Sequence, residues 1–262
     1  MPNRNQRGRT RSVFVQRHGP SGERRRPDEL IVEEPLSIQL DGTLVATTMR
    51  TPGNDYELAV GFLHAEGMLG GATVTTVRYC ADGSAVDSEF NIVTVETNGK
   101  APTPTPRLGS TTSSCGICGA DAIDELTTRL EPLDTTPFDP LLLADVAERV
   151  RGEQDLFDKT GAVHAAAAFD RDGKIALVRE DIGRHNAVDK IVGRMVTDGD
   201  SPEDMGLYVS GRASFEMVQK AWAGGFGTLV SVSAPSALAV ETAKAANLQL
   251  AGFIRNGEIN VY

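Results

Sequence analysis

The chain has 262 residues, of which 40% are hydrophobic and 24% charged, and its net charge is −10. That is enough apolar material for one large or two small folded domains. No apolar run approaches a membrane span, and the arginine-rich start is not followed by the apolar stretch of a signal peptide, so a cytoplasmic protein is expected. Three cysteines, an odd number, argue against a disulfide framework.

Residues 1–26 hold eight arginines against Glu23 alone, a net +7 that leaves −17 on the remainder. An acidic body does not suit nucleic acid as a partner. The start reads as a disordered, solubilising tail; contact with nucleic acid or an acidic partner is the other reading. From residue 27 to 106 an α+β part is expected. "DELIVEEPLSIQLDGTLVATTMRT" alternates as two strands around a turn at Asp41-Gly42. The loop from Thr51 to Asp55 leads into a helix, "YELAVGFLHAEGML", with Leu58, Phe62 and Leu69 near one face and Gly70-Gly71 as its stop. Residues 73–97 read as two more strands, with Cys80 in the first as a small buried hydrophobe. "KAPTPTPRLGSTTSS" lacks apolar periodicity and marks a boundary. It delivers the chain to a flexible loop, residues 107–119, that carries "SSCGICG".

Residues 120–262 read as an α/β domain. "ADAIDELTTRL" is helical, and Asp139-Pro140 caps a second helix, "LLLADVAERVRG". Strand "AVHAAAAF" turns at residues 170–173 into strand "KIALVRED". Strands then alternate with helices, which predicts parallel βαβ units, and "LAGFIRNGEINVY" closes as a hairpin around Asn256-Gly257. In such a sheet the loops leaving the strand ends collect on one edge and bind ligand there. The loops at 181–186, 210–214 and 231–236 each open a helix, whose free N–H groups suit phosphate. Arg184 and Arg212 would add bidentate grip. The alternative is that Ser210, Ser214, Ser233 and Ser236 are simply helix caps.

Cys115 and Cys118 form a CxxC pair, which zinc sites, disulfide oxidoreductases and persulfide carriers all use. One pair plus Cys80 does not make a closed four-ligand site. His64-Ala65-Glu66 ahead of Cys115-Gly-Ile-Cys118 echoes the zinc-dependent nucleobase deaminase signature. Ser114 stands where that signature has proline, however, and 51 residues separate His64 from Cys115. A disulfide oxidoreductase motif usually follows a strand directly; here a Thr/Ser-rich loop precedes it. Asp121, Asp124 and Glu125 downstream oppose thiolate formation at Cys118. A mobile, exposed thiol suits a carrier that accepts sulfur and passes it on.

The stretches "ELAVGFLHAEGML", "SSCGICG", "DIGRHNAVDK", "SGRASFEMVQKA", "SAPSALAVETA" and "GFIRNGEINVY" resemble the FdhD family, the formate dehydrogenase accessory sulfurtransferases or sulfur carrier proteins. The resemblance spans residues 57–262 and leaves the arginine-rich start outside. It implies a cytidine-deaminase-like three-layer core beside a smaller N-terminal subdomain, in a homodimer. It implies a sulfurtransferase that takes sulfur from a cysteine desulfurase as a persulfide on Cys115, with Cys118 assisting. The sulfur passes to the molybdenum cofactor, in its bis(pyranopterin guanine dinucleotide) form, before insertion into formate dehydrogenase. That cofactor is a bound substrate, and no structural metal is implied. The closing residues Phe253, Ile254, Arg255, Asn256, Gly257 and Glu258 align with the family's cofactor-binding stretch. Ser210, Gly211 and Arg212 suit the dinucleotide's phosphates. Arg184 and His185 suit phosphate or the dithiolene end, with a plain helix start as the alternative for His185. His64 is incidental on this reading.

Overall fold

The computed structural model describes residues 8–80, 84–104, 119–200, 202–255 and 257–262, with backbone only for 119–122. Cys115, Cys118 and Asn256 therefore lie outside the described residues. From Thr10 onward the arginine-rich start is a hairpin and not the disordered tail expected. β1 (Thr10–Gly19) and β2 (Gly22–Ile31) form an antiparallel hairpin in unbroken register from Thr10↔Ile31 to Gly19↔Gly22. Gly22 takes φ +100° at the turn, which favours glycine. Val32 N donates to Arg9 O at 2.9 Å, and Arg9 Nη2 donates to Glu180 O at 3.2 Å. Anchoring at this base, more than 140 residues away in sequence, overrides a composition that reads as disordered.

β3 (Glu34–Leu40) and β4 (Thr43–Arg50) pair around Asp41-Gly42 as expected, both residues at positive φ. With β5 (Thr76–Tyr79) and β6 (Ile92–Glu96) they make a four-stranded sheet, order β4-β3-β6-β5. Cys80 lies just past β5 rather than in it, half-buried, with Sγ 2.8 Å from Ser88 Oγ. α1 (Asp55–Ala65) packs Leu58, Ala59, Val60, Phe62 and Leu63 into the core of this sheet. It is buried on nearly every side, because its other face lies on α5 (Arg184–Asp198). Such all-round burial marks an interior helix. The two backbones meet at paired glycines: a Cβ on Gly61 would stand 1.9 Å from Asp189 O, and one on Gly193 1.8 Å from Glu57 O.

The second sheet has six strands in the order β12-β11-β10-β9-β7-β8. They are β7 (His164–Phe169), β8 (Ile175–Asp181), β9 (Gly206–Val209), β10 (Thr228–Ser231), β11 (Gln249–Arg255) and β12 (Glu258–Val261). β9, β10 and β11 are parallel, joined through α6 (Phe215–Ala223) and α7 (Ala237–Ala245). β7 lies between β8 and β9 and runs antiparallel to both, as the turn at residues 170–173 implies, so β8 runs in the same direction as β9, β10 and β11, as expected. Alternation on "HAAAAF" serves two cores. Ala166 and Ala168 face α5, α6 and α7, while Ala165, Ala167 and Phe169 face α3 (Pro140–Arg151). Helices on both faces give the expected three-layer α/β core. α2 (Gly119–Arg129) adds Leu126 to the first face. Asp139 caps α3 by accepting from Leu141 N at 2.9 Å. α4 (Asp155–Thr160) was not visible in the sequence; the Glu180 carboxylate receives Leu156 N and Phe157 N, each at 2.8 Å, and so caps it from β8.

Candidate functional site: the strand-end rim

β7 begins where β8 and β9 end, since His164 pairs with Asp181 and Ala166 with Val209. The three predicted loops consequently share one edge of the sheet even though the sheet is mixed. Loops 210–214 and 231–236 are stitched together: Ala213 bridges Pro235, Ser236 N donates to Ala213 O (3.0 Å), and Ser231 Oγ donates to Gly211 O (2.7 Å). The closing segment joins them through Phe253 N to Ser233 O at 3.3 Å. Phe253 holds φ +57° at a bulge in β11 and is 49% exposed. A non-glycine residue in that region is strained, and such strain gathers at functional sites.

Ser210, Gly211, Arg184 and His164 meet at the centre of this rim. A methyl on Gly211 would lie 3.5 Å from Arg184 Cδ and 3.7 Å from the His164 ring. Among the described residues Arg184 Nε is buried without a hydrogen-bond partner, which leaves a donor free at the rim. His164 was not singled out in the sequence. The available signal was a lone imidazole opening an alanine strand. Its Nδ1 is 3.3 Å from Ser210 Oγ, which also accepts from Ala165 N at 2.9 Å. Burial first, then Arg184 and His185, push the His164 pKa down and favour the neutral ring. A cavity of about 420 Å³ opens beside it, lined by Gln154, Phe157, Ile182, Tyr208 and Val232.

The candidate residues divide. Arg212, Arg255, Gly257 and Glu258 are exposed, the last three on the closing hairpin beyond the rim. Ile254 does not face a ligand: it is 6% exposed and packs in the core with α3. Alternation along β11 explains this, since the residues on either side of an exposed strand position point inward. Ser236 is a helix cap, accepting from Ala239 N at 3.1 Å. Ser214 instead donates to Glu216 Oε2 at 2.8 Å. Much of "DIGRHNAVDK" is scaffold. Asp181 accepts from Lys190 Nζ (2.7 Å), Thr51 N (3.1 Å), Gly183 N (2.8 Å) and Asn186 Nδ2 (3.0 Å). Asn186 also donates to Met49 O at 2.8 Å, and Lys190 Nζ to Thr51 O at 3.1 Å. These bonds fasten the first rim loop to the end of β4.

His185 faces Glu216 of α6, with Nε2 3.6 Å from Oε2. The His185 imidazole and then the Ser214 hydroxyl hold the Glu216 carboxyl down at about 2, while burial opposes them. One turn deeper, Asp189 meets Lys220 at 2.6 Å, and burial pushes Asp189 up to about 6. A carboxyl with a depressed pKa stabilises the fold above its ordinary value and loses that contribution as pH falls through the depressed one. Glu216→Gln is therefore expected to lower the melting temperature at neutral pH. The gap should persist down to the ordinary carboxyl value of 4.5 and close as pH falls toward about 2. Thermal melts across that range check it.

His64 and Glu66, the residues of the deaminase echo, lie away from the rim. His64 Nε2 is 2.8 Å from Ala223 O, at the far end of α6 from the rim loop that opens it. Nine residues of helix separate the two ends, roughly 13 Å at the usual rise. Glu66 is 4.0 Å from the buried Lys220. Among the described residues no three His, Cys, Asp or Glu side chains are grouped to hold a metal ion, and no helix is long and apolar enough to cross a membrane.

A three-layer α/β core with helix-opening loops gathered on one rim, joined through an interior helix to a smaller sheet, defines the class of protein. Comparison with known proteins narrows it. Residues 31–262 match the model of the FdhD/NarQ family, and the chain belongs to that family. It is 48% identical over 248 residues to the sulfur carrier protein FdhD of Streptomyces coelicolor, covering 90% of this chain and 88% of that one. It is 45% identical over 254 residues to the protein of the same name from Nocardia farcinica, covering 95% and 91%. The fold matches a crystal structure from Desulfotalea psychrophila assigned as a formate dehydrogenase accessory protein. The TM-score is 0.78 over 97% of each chain at 22% identity, a likeness that speaks for the fold.

Proposed function

We propose that the chain is a sulfur carrier and sulfurtransferase that serves formate dehydrogenase. Cys115 thiolate attacks the terminal sulfur of a cysteine desulfurase persulfide. The desulfurase S–S bond breaks, its cysteine leaves as thiolate, and Cys115 holds the sulfur as a persulfide. The cargo's destination is the molybdenum cofactor in its guanine dinucleotide form, held as substrate at the rim before it enters formate dehydrogenase. The observation that carries this reading is the rim itself. Helix-opening loops converge there with Ser210, Gly211 and an Arg184 donor that lacks an acceptor among the described residues, which suits a diphosphate. Phe253, exposed at the same edge, suits stacking on a planar ring. α2 begins at Gly119, directly after Cys118 in the chain, and a helix start favours a thiolate. Asp124 and Glu125 oppose it. On this reading the protein works in the cytoplasm as a homodimer, and Cys118 assists or resolves the persulfide.

Intact-mass analysis after incubation with a desulfurase and cysteine tests the carrier step. The expected result is a gain of one sulfur, mapped to the Cys115 peptide. Cys115→Ala is expected to lose that gain and to drop formate dehydrogenase activity in cells at least roughly a hundredfold, as loss of a nucleophile does. Full activity in that variant sinks the reading.

A further inference from the structure

The arginine hairpin has no part in the rim chemistry. It stands as a two-stranded ribbon apart from both larger sheets, a form of marginal stability alone. Its outer half concentrates like charge. Arg17 lies directly opposite Arg24, and Arg25 and Arg26 follow along β2. Like charges facing each other across a ladder are destabilising. Residues 16–26 hold four arginines and one acid, Glu23, and His18 already engages Glu23 at 2.9 Å. Phe14 is 66% exposed, with the Arg25 guanidinium 4.5 Å over its ring. An exposed aromatic among arginines is the composition of an interface centre.

The ribbon rises beside the rim. Arg9 at its base donates to Glu180 O, one residue before the rim end of β8. β2 packs on α4, whose Phe157 lines the rim cavity. Strands of 10 residues reach about 30 Å.

We propose that the hairpin is a docking arm for an acidic surface on the protein that receives the cargo. The inference rests on the rim as the place where cargo is held. A receiving protein must come to that edge, and the arm next to it carries the opposite charge to an acidic face. The acidic body of a second copy, −17 outside the start, is the competing occupant, and the oligomeric state in the test separates the two. The arginines supply steering and orientation, and Phe14 the apolar contact.

The test compares the full chain with a variant carrying Arg17→Glu, Arg24→Glu and Arg25→Glu, all exposed and outside the rim. Binding to purified formate dehydrogenase lacking its cofactor is measured by biolayer interferometry at roughly 50 and 300 mM salt. The variant is expected to bind at least about tenfold more weakly at the lower salt, with the gap narrowing at the higher. Sulfur loading of Cys115 should be unchanged. Equal binding by both proteins, or no binding by the wild type, overturns the proposal. A loss that tracks a shift from dimer to monomer in sedimentation velocity also overturns it, because the occupant is then a second copy. Failure of the wild type to load sulfur sinks the carrier reading instead, a result separable from every arm outcome.

Discussion

Gly193→Ala is expected to lower the melting temperature by more than about 10 °C, and Gly61→Ala to do the same. The added Cβ would meet a backbone carbonyl, 1.8 Å away at Gly193 and 1.9 Å away at Gly61. No side chain can swing aside to relieve either contact. α1 and α5 must separate, and both are packed on their outer sides. Val60 and Leu63 are fully buried on α1, as are Val188 and Ile191 on α5. Parting the helices opens voids in two cores at once, a change on the order of 4 kcal/mol or more. Circular dichroism melts measure it. A variant melting within about 3 °C of wild type would show that the crossing gives way cheaply.

The second large effect is expected at Lys190. Lys190→Met leaves the Asp181 carboxylate buried without its counter-ion, both side chains being 0% exposed. Breaking such a pair from one side costs about 3–5 kcal/mol. Burial lowers the Lys190 pKa while Asp181 raises it. Adding Asp181→Asn should restore part of the loss by removing the stranded charge. Recovery stays incomplete, because Asp181 accepts from Thr51, Gly183 and Asn186 through two oxygens and an amide offers one. Urea unfolding of the two single variants and the double variant measures the coupling. Additive losses would mean the pair contributes nothing as a pair.

The parts of the fold legible in sequence are those set by neighbours in the chain. Asp41-Gly42 marks a turn through backbone conformation alone, as Gly257 at φ +74° does in the closing hairpin, and the apolar run of "HAAAAF" marks a strand. The rest was decided by distant partners. α4 is only six residues long and depends on a carboxylate from β8. The arginine hairpin looks unfoldable by composition, yet its register is complete and Arg9 anchors it to Glu180. The rim loops were legible because Gly, Ser and Arg at strand ends have a physical use there. His164 was not, because only the reversed direction of β7 brings a strand start among strand ends. The scaffold duty of Asp181, Asn186 and Lys190 was equally hidden. Side chains beside a phosphate-friendly loop look alike in sequence whether they hold ligand or hold the loop.

α1 belongs structurally to two neighbours at once. One face completes the interior of the small sheet and the other fits the glycine notch of α5. Neither half is a portable module: a fragment cut between them would bare an oily stripe on each side of the cut. Fusions, truncations and chimaeras of this protein should keep both halves together, because a jaw-like parting of the two lobes would pull α1 out of the notch it shares with α5.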